Sequence, residues 1–192
     1  AVAYANGRCV DVTTGINARA GLPSGVSAGS IDLAAVSFLL RTEDSSLAEL
    51  DQLLNTESGL LGLSGASREL DEVFMESDKG DTRCQLAIRV LVQQLLKSVG
   101  GLVASMGGVD LMVFSGKHGV TSTRLRAMLC ERLGYLGLHI DEHRNELMRG
   151  TKTADITGED SQVRVFIVPS DENETIARDC STVVSSRASQ QI

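Results

Sequence analysis

Apolar residues recur at intervals of three and four along much of this chain, which is the spacing of amphipathic helices. The longest such stretch predicts a helix from about Asp81 to Met106, ended by Gly107-Gly108. The apolar residues expected on its buried face are Leu86, Val90, Leu91, Leu95, Val99, Leu102 and Met106. Further helices are predicted over 31–41, after a capping box of Ser46 and Glu49, over 67–76, over 121–133, and after Ser170 as a helix cap.

Short apolar runs between these helices predict strands. Val109–Phe114 and Val163–Val168 have the composition of buried strands, and Leu138–Ile140 is a third, weaker candidate. Asn6-Gly7 favours a tight hairpin turn within residues 2–12. The helix 31–41 has Ile31, Ala35, Phe38 and Leu39 on one face.

The remaining segments predict loops. Residues 15–30 form a glycine-rich loop, 58–65 a glycine-rich connector, 115–119 a turn, 144–158 a polar loop and 185–192 a frayed tail. The order of elements predicts an α/β fold with a mixed sheet and flanking helices, and one domain over residues 1–192.

Composition excludes several functions. The 192 residues carry a net charge of −7, which repels nucleic-acid backbones and anionic membrane surfaces, and we expect neither as a partner. No apolar run reaches the roughly 20 residues that span a bilayer. The four cysteines, Cys9, Cys84, Cys130 and Cys180, are scattered without a CxxC pair, so reduced thiols in the cytoplasm are expected.

The residues alone leave three candidate sites open. The turn that carries Lys117 and His118 follows a strand and precedes a helix, a place where phosphate binds well, although such turns also serve packing alone. Glu172, at the start of the last helix, is either a Mg²⁺ ligand or part of the helix cap. The loop Gly21–Asp32 supplies little charge. His139 and His143 lack metal-ligand spacing.

Several segments together resemble acetate kinases, in the same order and with similar spacing. They are SGLLGLSGAS (58–67), MGGVDLMVFSG (106–116), LGYLGLHIDEHRN (133–145), VRVFIVPSDENETIARD (163–179) and CVDVTTGINARAGLPSGVSAGSID (9–32). The resemblance implies the actin-like, sugar-kinase-like (ribonuclease H-like) fold, with ATP and a carboxylate meeting between two lobes. It covers only the family's C-terminal half, so the N-terminal lobe with its own active-site residues is absent from the resemblance.

The functional loops depart from the family pattern. Ser27 occupies the position of a catalytic arginine, and a hydroxyl cannot replace a guanidinium in phosphoryl transfer. Asp71 reverses the charge of a nucleotide-loop arginine, whereas Glu172 retains the family's metal-linked glutamate. The nucleotide-binding residues that the resemblance implies are Glu69, Leu70, Asp71, Gly116, Lys117, His118, Gly119 and Val120.

Three hypotheses follow. The first is an acetate kinase-type ATP:acetate phosphotransferase lobe without turnover on its own, which uses ATP and Mg²⁺ only if the family function is retained. The second is a non-catalytic structural or regulatory dimerisation domain. The third is a nucleotide-binding sensor without turnover. The expected partner is a second copy in a homodimer, or the missing N-terminal lobe.

Overall fold

A computed structural model describes residues 1–17, 19–42, 45–148, 150 and 152–189, with side chains described as far as residue 184. In chain order the strands are β1 (Val2–Ala5), β2 (Arg8–Val12), β3 (Leu111–Phe114), β4 (Ala154–Asp155) and β5 (Arg164–Ile167). The helices are α1 (Leu33–Thr42), α2 (Leu47–Thr56), α3 (Gly59–Ser64), α4 (Leu70–Asp78), α5 (Thr82–Met106), α6 (Gly116–Thr121), α7 (Thr123–Arg132), α8 (Glu142–Leu147) and α9 (Glu172–Ser189). A short 3₁₀ turn covers Gly134–Leu136.

The sheet is mixed, as predicted. Its strand order is β3-β5-β4, with β3 parallel to β5 and β4 antiparallel to β5. The strands β1 and β2 form a separate antiparallel hairpin. Its turn residues Asn6 and Gly7 have φ values of 53° and 73°, the positive angles that a tight hairpin turn requires. The predicted α/β architecture and hairpin are therefore confirmed.

The helix α5 lies at the centre of the core and packs against α3, α4 and α7. Asp81 caps it by accepting a hydrogen bond of 2.7 Å from the amide of Cys84, and Gly107 ends it with a φ of 76°. Within the described part of the chain, α5 is the one helix long and apolar enough to cross a membrane. Core helices meet the same criterion, so this property is weak evidence of a membrane span.

The predicted buried face of α5 was partly wrong. The buried residues are Cys84, Ala87, Ile88, Leu91, Val92 and Leu102. Leu86 is 46 % exposed, and Val90 is only half-buried. The helix carries large apolar residues on more than one stripe, and its buried residues include the small Cys84 and Ala87. The predicted Leu91 and Leu102 are buried, and Leu95 and Val99 pack against the core, so the pattern of large apolar residues located the buried face only in part.

Four predicted irregular segments are ordered elements. The connector 58–65 contains α3, the turn 115–119 begins α6, and the loop 144–158 overlaps α8 and contains β4. Tertiary contacts override the weak helix propensity of glycine in α3, because Leu60 is buried and its amide donates to the carbonyl of Ser24 at 3.0 Å. The tail predicted from residue 185 is helical as far as Ser189, and 190–192 lie outside the described residues.

Other differences concern burial and capping. The predicted apolar face of α1 is not in the core, since α1 has no buried residue. The strand β3 exposes Leu111 and Val113 on one face, and the predicted strand 138–140 is reduced to an isolated bridge between Ile140 and Thr157.

Asp171, rather than Ser170, caps α9, because its carboxylate accepts from the amide of Glu174 at 2.9 Å. An aspartate and a serine are both good caps, so composition alone did not distinguish them.

The corrected face of α5 can be tested with two matched truncations. We predict that Leu91→Ala lowers the free energy of unfolding by about 2–5 kcal/mol, because it leaves a cavity in the core. Leu86→Ala, on the same helix, should cost about 1 kcal/mol or less, since that side chain is half in solvent. Urea unfolding followed by circular dichroism measures both, and equal losses would contradict this assignment of the face.

Candidate functional site

The segment 21–32 forms a closed turn around Ser27. Ser27 is 3 % exposed, and its hydroxyl lies 2.8 Å from the hydroxyl of Ser24. The amide of Ser27 donates to the Ser24 hydroxyl at 2.9 Å, and the amide of Ser24 donates to the Ser27 carbonyl at 3.0 Å. Ser24 and Ser27 thus satisfy each other's hydrogen-bonding groups inside the turn. The side chain of Ser27 points into the protein rather than into solvent.

Backbone contacts fix this turn against α2 and α3. The amide of Ala28 donates to the carbonyl of Leu54 at 2.9 Å, and the amide of Ser58 donates to the carbonyl of Val26 at 2.8 Å. A Cβ atom at Gly59, whose φ is 61°, would lie 2.2 Å from the carbonyl oxygen of Ser24. The approach is too close for any side chain at Gly59, so the shape of the turn depends on glycine and main-chain hydrogen bonds.

The turn 64–69 leads into α4 and places Glu69 at its surface. The buried hydroxyl of Ser64 accepts from the amides of Ala66 and Ser67 at 3.1 and 3.3 Å. The hydroxyl of Ser67 accepts from the amide of Glu69 at 3.0 Å and donates to the carboxylate of Glu72. Serine hydroxyls therefore hold this turn as they hold the turn at Ser27.

An ion pair joins two of the predicted nucleotide loops. The ammonium of Lys117 lies 2.5 Å from the carboxylate of Glu69, although the two residues are 48 positions apart in the sequence. The hydrogen bond from Lys117 lowers the pKa of Glu69 below its ordinary value. Both side chains are partly solvated, so water screens the pair and it adds little to stability.

His118 lies beside this pair and is half-buried. Burial lowers the pKa of His118 below its ordinary value, and the charge of Lys117 lowers it further, while Glu69 and Asp71 act in the opposite direction. The lowered pKa favours the neutral imidazole. The charges that converge here are the ammonium of Lys117, the guanidinium of Arg68, whose Nε lies 3.7 Å from the Glu69 carboxylate, and the carboxylates of Glu69 and Asp71.

The other predicted nucleotide residues contribute less side-chain chemistry. Leu70 and Val120 are buried in the hydrophobic core, so only their backbone groups can face a ligand. Gly116 has a φ of 69°, a conformation that favours glycine, and Gly119 is half-buried behind Phe114. The structure thus brings Glu69, Asp71, Lys117 and His118 together, whereas their role in nucleotide binding stays a prediction.

Glu172 takes no part in the ion pairs and hydrogen bonds given above for this cluster. It is exposed in the first turn of α9, whose residues 172–184 are all exposed. Among the described residues, no group of three or more His, Cys, Asp or Glu side chains is placed to hold a metal ion. A Mg²⁺ ion at Glu172 would therefore take most of its oxygen ligands from water and phosphate, which is a common arrangement for this ion.

The sequence analysis missed Arg126, which is fully buried. Its guanidinium donates to the carbonyls of Gly119 and Val120 at 2.9 and 2.8 Å, and to the side-chain oxygen of Asn145 at 2.7 Å. It also donates to the carbonyls of Asn145 and Met148 at 3.0 and 2.9 Å. Arg126 thereby ties the end of α6, which carries Lys117 and His118, to α8. The available signal was a cation placed among the apolar positions of the predicted helix 121–133.

We predict that Arg126→Met lowers the free energy of unfolding by about 3–5 kcal/mol, because it leaves several buried carbonyl groups without a donor. The control is Arg144→Met, which removes an exposed pair with Asp141 at 3.2 Å and should cost about 1 kcal/mol or less. Denaturant unfolding measures both changes. A similar loss in the two variants would show that the Arg126 network is unimportant for stability.

Comparison with known proteins gives a consistent result. Residues 1–178 match the model of the acetokinase family. The acetate kinase of Clostridium novyi (strain NT) is 37% identical over 182 residues, which are 95% of this chain and 45% of that protein. The chain therefore spans a little under half the length of such relatives.

Solved structures agree. The crystal structure of Porphyromonas gingivalis acetate kinase is 36% identical with a TM-score of 0.86, and the likeness covers 93% of this chain and 45% of that one. Acetate kinase from Entamoeba histolytica gives 30% identity and a TM-score of 0.85, over 93% of this chain and 47% of that one. These likenesses confirm the predicted actin-like α/β fold. Since the family model matches nearly the whole chain, the chain belongs to the acetokinase family.

Proposed function

We propose that this chain is the nucleotide-side half of an acetate kinase-type phosphotransferase and does not by itself transfer phosphate between ATP and acetate. The observation that carries the proposal is the environment of Ser27, a buried hydroxyl paired with Ser24 where the family resemblance implies a catalytic arginine. Phosphoryl transfer relies on cations that offset the charge of the transition state, and one arginine can contribute roughly 10³–10⁵ in rate.

The local charges support weak rather than tight nucleotide binding. The ammonium of Lys117 is 67 % exposed and lies in the predicted phosphate-binding turn, but it is paired with Glu69. Asp71 adds a second carboxylate to the same cluster. A nucleotide phosphate would have to displace Glu69 from Lys117 and tolerate Asp71, and Mg²⁺ in complex with that nucleotide would reduce the repulsion.

The proposed partner is the complementary lobe of such an enzyme. Relatives of this chain are about twice its length, and a cleft enzyme needs both walls. Exposed apolar residues on α1, β3 and the hairpin support association with another surface; they include Leu33, Phe38, Leu111, Val113 and Tyr4. We also propose a cytoplasmic location, because all four cysteines are free thiols and two of them are buried.

The same exposed apolar surfaces favour a second candidate function, a non-catalytic dimerisation or regulatory domain. In that case a second copy of the chain covers them, and the nucleotide loops serve only packing. Binding of nucleotide separates the two functions, since a purely structural domain has no saturable site for it.

We predict that the purified chain forms no acetyl phosphate from ATP, Mg²⁺ and acetate above the blank. Hydroxylamine trapping of acetyl phosphate measures the product, and a full-length acetate kinase at equal concentration is the positive control. The Ser27→Arg variant should also form no acetyl phosphate above the blank, because one cation does not supply the second wall of the cleft. Robust turnover by the unmodified chain would refute the proposal.

We predict that Glu69→Gln tightens the binding of MgATP by about two- to five-fold, because it frees Lys117 for the phosphates. The matched control is Glu76→Gln, which makes the same charge change on α4 and removes a pair with Lys79 at 2.8 Å. This control should change the affinity less than Glu69→Gln does. Isothermal titration calorimetry measures each affinity, and an absence of saturable heat in every variant would favour the dimerisation domain.

A further inference from the structure

A groove of about 380 Å³ lies between α5 and α7, outside the loops considered above. Its apolar lining comes from Val90, Val92 and Met128. Val92 is buried and forms part of the core, whereas Val90 and Met128 are half-buried. Arg89 and Arg132 also line the groove, one from each helix, together with amide side chains of α5. The groove thus combines an apolar surface with two cationic groups.

The two helices are cationic in an acidic protein. The net charge of the chain is −7, yet the 25 residues of α5 include Arg83, Arg89 and Lys97 and no acidic residue. The helix α7 carries Arg124, Arg126 and Arg132 against the single acid Glu131. The groove thus lies between two helices that carry more basic than acidic residues.

Three of these six cations have partners within the protein. Arg83 donates to the carbonyls of Gly62 and Leu63, and Arg124 forms a two-bond pair with Asp78. Arg126 binds the carbonyls described above. In contrast, Arg89 and Arg132 have no ion pair or hydrogen bond from their guanidinium groups to any part of the chain that the structure describes.

Helical neighbours do not supply the missing counter-ion either. The side chains three and four positions from Arg89 are Gln85, Leu86, Val92 and Gln93, and those around Arg132 are Met128, Leu129, Tyr135 and Leu136. None of them carries a carboxylate, whereas surface arginines on helices are commonly paired with one at these spacings. Two arginines without a carboxylate partner at one apolar groove leave an acceptor position open.

We propose that this groove binds a small organic anion. Its acidic group, a carboxylate or a phosphate monoester, accepts hydrogen bonds from Arg89 and Arg132, since the guanidinium fork matches both groups. A short apolar chain or ring of the ligand packs on Val90, Val92 and Met128. The volume suits a small molecule, and small-molecule sites typically combine apolar walls with a few convergent polar groups.

The site is independent of the proposed nucleotide loops, because none of its lining residues belongs to them. It nevertheless shares α7 with Arg126, which holds the carbonyls of Gly119 and Val120. A ligand in the groove would therefore contact the helix that positions the end of the Lys117 loop.

The test uses the complete chain and amide NMR with assigned signals. The probes are sodium hexanoate, phenyl phosphate, and hexanol as the uncharged counterpart of hexanoate. We expect at least one of the two acids to give saturable shifts in residues 89–94 and 128–132, and hexanol to bind at least about ten-fold more weakly than that acid. Comparison of the two acids distinguishes a carboxylate ligand from a phosphate ligand.

Variants decide whether the two arginines form the site. Arg89→Gln or Arg132→Gln should weaken binding of the preferred acid by about ten-fold, as expected for a lost charge-assisted hydrogen bond. Lys97→Gln removes the same charge from an exposed position of α5 outside the groove and should change the affinity by less than about two-fold.

Several outcomes would overturn the proposal. They are a lack of saturable shifts in these segments with both acids, binding of hexanol as tight as that of the acids, and equal effects of Lys97→Gln and the two arginine variants. Shifts of the same amides with protein concentration in the absence of ligand would also overturn it, because a second copy of the chain would then occupy the groove.

Discussion

The packing of α5 against α3 and α4 is the contact on which the rest of the structure depends. Cys84 and Ala87 lie on the buried stripe of α5, and their small side chains leave room for the neighbouring helices. The helix α3, held in this way, offers its first amides to the carbonyls of Ser24 and Gly25, and the start of α4 presents Glu69. The positions of both turns therefore follow from one helix face, and the chemistry of the turns is superimposed on that scaffold.

The nature of these contacts explains how the loops can change residues and keep their shape. Glycines, main-chain hydrogen bonds and the short serine hydroxyls of Ser24, Ser27 and Ser64 fix the turns. None of these contacts requires the cationic side chains on which phosphoryl transfer depends. A family fold with a TM-score of 0.86 is thus compatible with a buried serine at the position where the sequence resemblance implies an arginine. Fold and reaction depend on different atoms of the same loops, so retention of one says little about the other.

Local signals were the part of the structure that the sequence could predict. The Asn6-Gly7 turn, the Ser46–Glu49 capping box and the end of α5 at Gly107 each involve residues within a few positions of one another, and all three are present. The pair of Glu69 with Lys117 joins residues 48 positions apart, and no local pattern encodes it.

The local pattern also failed to predict which side chains are buried. Leu86, expected on the buried face of α5, is 46 % exposed, whereas the smaller Cys84, which was not among the predicted residues, is buried. Arginine is usually a surface residue, yet Arg126 is fully buried. Its burial is possible because five hydrogen bonds to carbonyl oxygens replace its hydration. Such a residue becomes recognisable only when the segments that supply those oxygens are placed around it.

The exposed face of the sheet connects the fold to the question of function. Parallel strands usually occur in sheets that are covered on both sides, yet β3, which is parallel to β5, exposes Leu111 and Val113 on one face. Full burial of such a side chain is worth on the order of 1.5–3 kcal/mol, and Leu111 and Val113 are 50 % and 45 % exposed, so a surface that covers them gains about half of that from each. The cleft of an acetate kinase-type enzyme needs a second wall, and an uncovered apolar face has a physical reason to bind another surface. Covering the exposed face of the sheet and completing an active site are therefore distinct requirements. A partner can cover the apolar face without supplying the cations that phosphoryl transfer demands.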